Sequence, residues 1–199
     1  MESWVRDLVD LAAAQAAGDT SGMETAFERL QVAGREIEVE EALLQSYLFL
    51  GFPSAIEALR RWRYRGAAPP AAAHEGWDLW LERGERTCAV VYGDHYDQLR
   101  QNIARFHPDL DRWMVREGYG KVLGRPALAL EVRELLIVAM LVVQGESGRR
   151  QLRSHLRGAL NAGAAPADVE KTIRRAAVFA PAEHRQLALK LWANLQPKG

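Results

Sequence analysis

Apolar residues recur along this chain at intervals of three and four, the spacing of one helix face, and no stretch alternates convincingly enough to predict a strand. Trp4 to Ala17 reads as a first helix, capped by Ser3 and closed by Gly18. Thr20 or Ser21 caps a second that ends at Gly34. A third starts near Glu38, carries Val39, Leu43, Leu44, Tyr47, Leu48 and Leu50 in helical register, breaks at Gly51-Phe52-Pro53, and resumes over Ala55 to Trp62. Gly66 to Ala73, GAAPPAAA, is unpatterned and holds a Pro-Pro pair that cannot continue a helix, so a linker is expected there. Beyond it come a short Trp-rich segment around Trp77 and Trp80, a helix from about Asp94 to Phe106, and one opened by Pro108 that runs toward Leu123. Three more follow in close order: Glu131 to Gln144, Ser147 to Ala162, and Pro166 to about Leu195 with a break at Pro181.

The first three helices and the last three align by simple offsets. Ala33-Gly34 meets Ala162-Gly163, and one residue later in register Val39 meets Val169, Leu43 meets Ile173, Leu59 meets Leu189 and Trp62 meets Trp192. The expected organisation is all-α: a three-helix unit over residues 1–65, a linker over 66–73, and a related unit over 74–199.

Composition narrows the class. At 199 residues and 48% hydrophobic content the chain can bury a real core. The longest uninterrupted apolar run, Leu135 to Val143, falls well short of the roughly 20 residues of a membrane span, and MESWVRDLVD lacks a signal-peptide layout, so a cytoplasmic protein without a membrane partner is expected. One cysteine, Cys88, permits neither an internal disulfide nor a two-thiol mechanism within one chain. Net charge is zero, yet residues 1–99 carry 9 Lys+Arg against 17 Asp+Glu and residues 100–199 carry 17 against 9. Such halves attract each other or draw a small anion to the second half. A nucleic-acid partner is not expected, because the basic residues lack aromatic interleaving and a docking motif.

The second unit carries the candidate chemistry. Leu152, His155, Leu156, Ala159 and Leu160 share one helix face, so His155 points with the apolar stripe, while Arg149, Arg150, Arg153 and Arg157 occupy the other side. Those arginines read as a solvated basic face or as carboxylate binders at a cleft edge. Glu134, in the first turn of its helix just before the long apolar run, suits the helix dipole there and is also able to meet His155 across the helix pair; a carboxylate that orients an imidazole is an arrangement suited to acid–base work. Taken alone, a core histidine is more often structural.

Gly93-Asp94 with His95, Tyr119-Gly120, Arg125-Pro126, Arg133-Glu134-Leu135, and Leu152-x-x-His155 followed by Ala159-Leu160-Asn161-x-Gly163 form a series of landmarks. With them, the segment Tyr92 to Lys171 resembles the carboxymuconolactone decarboxylase family. The resemblance implies an alkylhydroperoxidase D-like helical fold, here as two three-helix units in tandem, assembling into a homo-oligomer (dimer, trimer or hexamer) with its site in the helical cleft. It also implies one of two chemistries. Decarboxylase members act on a carboxylated lactone without metal or organic cofactor; peroxidase members use a Cys-x-x-Cys just before the histidine. Here that place reads Arg149-Arg150-Gln151-Leu152, without the thiolate that attacks peroxide.

On the decarboxylase reading His155 is the acid or base, Glu134 orients it, Arg133 or Arg153 holds the substrate carboxylate, and His95 and Tyr119 are wall residues or second proton carriers. The expected function is a cofactor-free carboxy-lyase or related enzyme on a small carboxylated lactone or keto acid, with no metal. The alternative is a catalytically silent scaffold or ligand-binding relative. A peroxidase working through Cys88 is disfavoured, since Thr87 and Ala89-Val90-Val91 do not suggest an activated thiol. The family's Tyr-x-Gly-x-Pro turn has an echo in Tyr47 to Pro53, which predicts that the first unit supplies a wall of the site, with Phe52 near His155.

Overall fold

The computed structural model describes residues 1–72 and 74–195, and among them there are helices and no strands. Ala73, the last residue of the expected linker, lies outside them. The first triad is α1 (Ser3–Ala17), α2 (Thr20–Val32) and α3 (Glu36–Tyr64). Gly18, in the left-handed region, ends α1 and returns its N–H to the carbonyls of Ala14 and Gln15. The cap of α2 is Asp19 rather than Thr20 or Ser21: its carboxylate accepts from the Gly22 N–H at 3.0 Å. Within α3 the expected interruption is present, for Gly51 leaves helical geometry at φ 78° and ψ 163°.

Residues 67–72 have no regular structure. After them, the short Trp-rich segment expected around Trp77 is a full helix, α4 (Trp77–Tyr92). A 3₁₀ turn over Gly93–His95 leads into α5 (Tyr96–Phe106), and α6 (Pro108–Trp113) passes directly into a π-helical stretch, Met114–Leu123. Gly84 of α4 and Gly120 of the π-helical stretch explain how these two elements lie together. A methyl group on Gly84 would overlap the Val115 carbonyl, and one on Gly120 would overlap the Trp80 carbonyl. Two bare Cα atoms therefore let the backbones touch.

The second triad is α7 (Leu130–Gln144), α8 (Arg149–Asn161) and α9 (Pro166–Ala176), followed by α10 (Ala182–Ala193) across the break at Pro181. Every residue of α7 from Val132 to Val142 is buried, so this helix is hydrophobic all round and forms the axis of the molecule. α1, α3, α8 and α9 pack against it. One core thus joins both triads: Leu43 and Trp62 belong to the same cluster as Ile137, Leu156, Ile173 and Trp192. Each such side chain contributes on the order of 1.5–3 kcal/mol by leaving water.

The opposite charges of the two halves meet across this core. Arg175 of α9 binds Asp10 of α1, with Nε to Oδ1 at 2.9 Å. Glu41 of α3 accepts from Arg125 at 2.8–3.0 Å and from Arg133 of α7 at 2.6 Å. α3 meets the length and mean-hydropathy criterion for a membrane span. It is bent at Gly51, however, and Glu41, Gln45 and Trp62 bind it into the core.

Candidate functional site

Helical periodicity turns His155 inward. Leu152, Leu156 and Ala159 on the same stripe of α8 are fully buried against α7, and His155 is carried with them to 4% exposure. Opposite stands Glu134 of α7, wholly buried, whose Oε2 lies 2.8 Å from His155 Nδ1. The other carboxylate oxygen, Oε1, is buried and has no hydrogen-bond partner among the described residues. Space for this carboxylate comes from Gly158, one turn beyond the histidine: a methyl group there would come within 2.7 Å of Glu134 Oε2 and of Val91 Cγ1. Gly158 was not singled out in the sequence. Its signal is a glycine inside a helix at a cost of about 1 kcal/mol relative to alanine, three residues from a core histidine.

His155 borders a cavity of about 360 Å³. The first triad provides part of its wall through Tyr47, Leu48 and Phe49, and the Phe49 ring meets the imidazole edge-on at 5.4 Å between centroids. The first triad thus borders this cavity through Phe49, while Phe52, the residue expected near His155, is not among its lining. Phe52 stacks on Tyr47 at 4.7 Å and is 63% exposed, bordering a separate groove with Trp80 and Lys121.

Tyr119, on the π-helical stretch, and Tyr92, at the end of α4, complete the polar lining, their rings edge-on at 6.0 Å. π-Helical backbone is rare and concentrates at functional sites. Burial pushes the Tyr92 phenol up to about 12 and that of Tyr119 well above its ordinary range, so both are neutral hydrogen-bonding groups at neutral pH. Glu117 also borders the cavity, a residue that the sequence did not single out; burial and its charge together push the nearby Tyr47 phenol up. The lining holds no lysine or arginine among the described residues.

Three residues expected to bind substrate lie elsewhere. Arg133 is wholly buried and committed to the fold: its guanidinium donates to Glu41, Gln45 and the carbonyls of Leu128 and Arg125. Burial pushes Glu41 up, but the hydrogen bonds from Arg125 and Arg133 outweigh this and hold its carboxyl below the ordinary range. Arg153 and His95 face a second groove on the far side of Tyr92. The physical reason is helix geometry, since residues one or two apart point to different sides. Arg133 therefore cannot share a direction with Glu134, nor Arg153 with His155.

Cys88 is buried, and burial pushes its thiol up to about 12, so it stays protonated where a thiolate would be needed. Among the described residues, no group of three or more His, Cys, Asp and Glu is arranged to hold a metal ion.

Known proteins share this segment. The family model described as Carboxymuconolactone decarboxylase family matches residues 108–193, which include Glu134, His155 and Gly158. Peroxisomal protein 2 of Schizosaccharomyces pombe is 32% identical over 133 residues, covering 64% of this chain and 61% of its own length, so the chain spans less than two thirds of that relative. An uncharacterized 15.0 kDa protein from the nqo9-nqo10 intergenic region of Paracoccus denitrificans is 30% identical over 98 residues, covering 49% of this chain and 72% of that protein. The helical architecture, the family match over the histidine-bearing helices and the likeness to the Paracoccus protein agree: the chain belongs to the carboxymuconolactone decarboxylase family.

Proposed function

We propose that this chain is a cofactor-free acid–base enzyme, a carboxy-lyase or a close chemical relative, acting on a small molecule held in the cavity beside His155. The observation that carries the reading is the His155–Glu134 pair, buried and hydrogen-bonded at 2.8 Å, with His155 on the wall of a cavity of about 360 Å³ and Glu134 behind it. With Nδ1 engaged by Glu134, Nε2 is the ring nitrogen left for a ligand, and the carboxylate fixes ring orientation and tautomer. In a decarboxylation the C–C bond to the carboxylate breaks, its electron pair passes into an enolate, and carbon dioxide leaves. A protonated Nε2 then delivers its proton to the enolate carbon. Tyr92 and Tyr119, as neutral phenols, are suited to hydrogen-bond the enolate oxygen.

The lining narrows the substrate. With no guanidinium among the described residues of the lining, and with Glu117 on the wall, a substrate with several carboxylates would meet repulsion and no clamp. The favoured substrate class is a lactone or keto acid with one carboxylate, its remaining surface set against Leu48, Phe49 and Met114. The same absence of a cation favours, as a second reading, a ligand-binding relative without catalytic activity.

The test is a panel of small carboxylated lactones and keto acids, followed by thermal shift and by carbon dioxide release, with wild type beside His155→Ala. Binding raises apparent stability by mass action, so a poor substrate still registers. Release that disappears in the variant supports the enzyme; stabilisation without release supports the binding protein, and silence from both proteins rejects the site.

A further inference from the structure

Across Tyr92 from the His155 cavity lies a groove of about 440 Å³ between α8 and the corner where α4 meets α5. Arg150, Arg153 and Arg157 border it. Their intervals of three and four set the guanidinium groups in one row along α8, about 10 Å long at roughly 1.5 Å per residue. None of the three has a carboxylate partner among the described residues, whereas Arg149, next to them on the helix, pairs with Glu146 at 3.1 Å. Like charges gathered in one concave space repel one another, and an anion between them relieves that repulsion.

The opposite wall carries the hydrogen-bonding side chains of His95, Gln98 and Asn102, while Val91 and Tyr92 give an apolar floor. We propose that this groove is a binding site for a small linear organic molecule with two anionic groups. Guanidinium forks match carboxylate and phosphate oxygens equally well, so the shared chemistry is the dianion. One carboxylate or one phosphate is too short to reach the whole row. Two anionic groups joined by a short hydrocarbon span it, with the hydrocarbon on Val91 and Tyr92. The groove is separate from the acid–base pair, and its occupancy does not depend on the proposed reaction.

The experiment is calorimetric titration of the whole protein at low salt with acetate, inorganic phosphate, pyrophosphate and the dicarboxylates glutarate and suberate. The ligands with two anionic groups are expected to bind about tenfold or more tighter than acetate or phosphate, which have one, since each added charged hydrogen bond is worth roughly that much. Arg153→Gln and Arg157→Gln should each lower dianion affinity by about tenfold, with Arg153→Lys between them and wild type. His155→Ala should leave it unchanged. Arg86→Gln removes an exposed charge outside the groove and is the control for net charge. Preference between pyrophosphate and suberate distinguishes an organic phosphate from a dicarboxylate. Equal affinity for ligands with one and with two anionic groups, an equal loss in Arg86→Gln, or a short single-stranded oligonucleotide outcompeting every small ligand would each overturn the assignment.

Discussion

Gly158 and Glu134 occupy the same space from opposite helices: the missing side chain of one is filled by the carboxylate of the other, which then reaches His155 at 2.8 Å. Gly158→Ala is therefore expected to push the carboxylate away from the ring. The packing cost is about 1–3 kcal/mol, read from urea unfolding. Any turnover or ligand response assigned to His155 should fall with it. An alanine variant with unchanged stability would show that Glu134 moves aside freely and that the pair is loosely held.

The crossing of α4 on the π-helical stretch gives a second expectation. Gly120→Ala places a methyl group against the Trp80 carbonyl, and backbone yields less readily than a side chain. The loss should lie at or beyond the upper end of the ~1–3 kcal/mol typical of overpacking. Gly118→Ala, which meets open space, is the control and should stay within about 0.5 kcal/mol of wild type, apart from intrinsic helix preference. Thermal denaturation of the two variants side by side decides the matter.

Acid should loosen the join between α3 and α7. The folded-state pKa of Glu41 lies below its ordinary 4.5, so its contribution is fully present above pH 4.5 and is lost as pH falls through the lowered folded value. Glu75, held down to about 2 chiefly by hydrogen bonds from Arg83, adds a second contribution lost over the same acidic range. Glu41→Ala leaves Arg133 charged and buried without a carboxylate, a loss of about 3–5 kcal/mol at neutral pH. The measurement is stability against pH between 2 and 7, where the variant should show a flatter acid limb.

Cys88 should behave as a small apolar side chain. In the folded protein an aromatic disulfide reagent at pH 8 should leave it unmodified, and modification should follow the unfolding curve in denaturant. Cys88→Ala should retain any activity. Rapid modification of the native protein would revive the peroxidase reading.

Much of this was legible in the sequence because it rests on local periodicity. The helices of both triads, the break at Gly51, the inward turn of His155 and its meeting with Glu134 all follow from three- and four-residue spacing. α4 was missed because Gly84 and the β-branched Thr87, Val90 and Val91 weaken its helical propensity, and its reason for being helical lies across the chain, in Gly120. The π-helical stretch carries no local signature of its longer hydrogen-bond step. Glu117 was hidden for the same reason, since its direction depends on that step. Arg133 and Arg153 are different: the spacing already sets Arg153 on the face opposite His155, and Arg133, next to Glu134, points to another side of α7, so their absence from the cavity is written in the sequence.

The bend at Gly51 divides the duties of a single helix. Before it, Tyr47 to Phe49 close the cavity over His155, and Glu41 neutralises Arg133; after it, Ala55, Ala58 and Trp62 anchor the helix in the core. A protein cut at residue 66 would give a carboxyl-terminal half with its imidazole open to water and a bare guanidinium in its interior. The two halves share one core, and the cavity beside His155 is a property of their union.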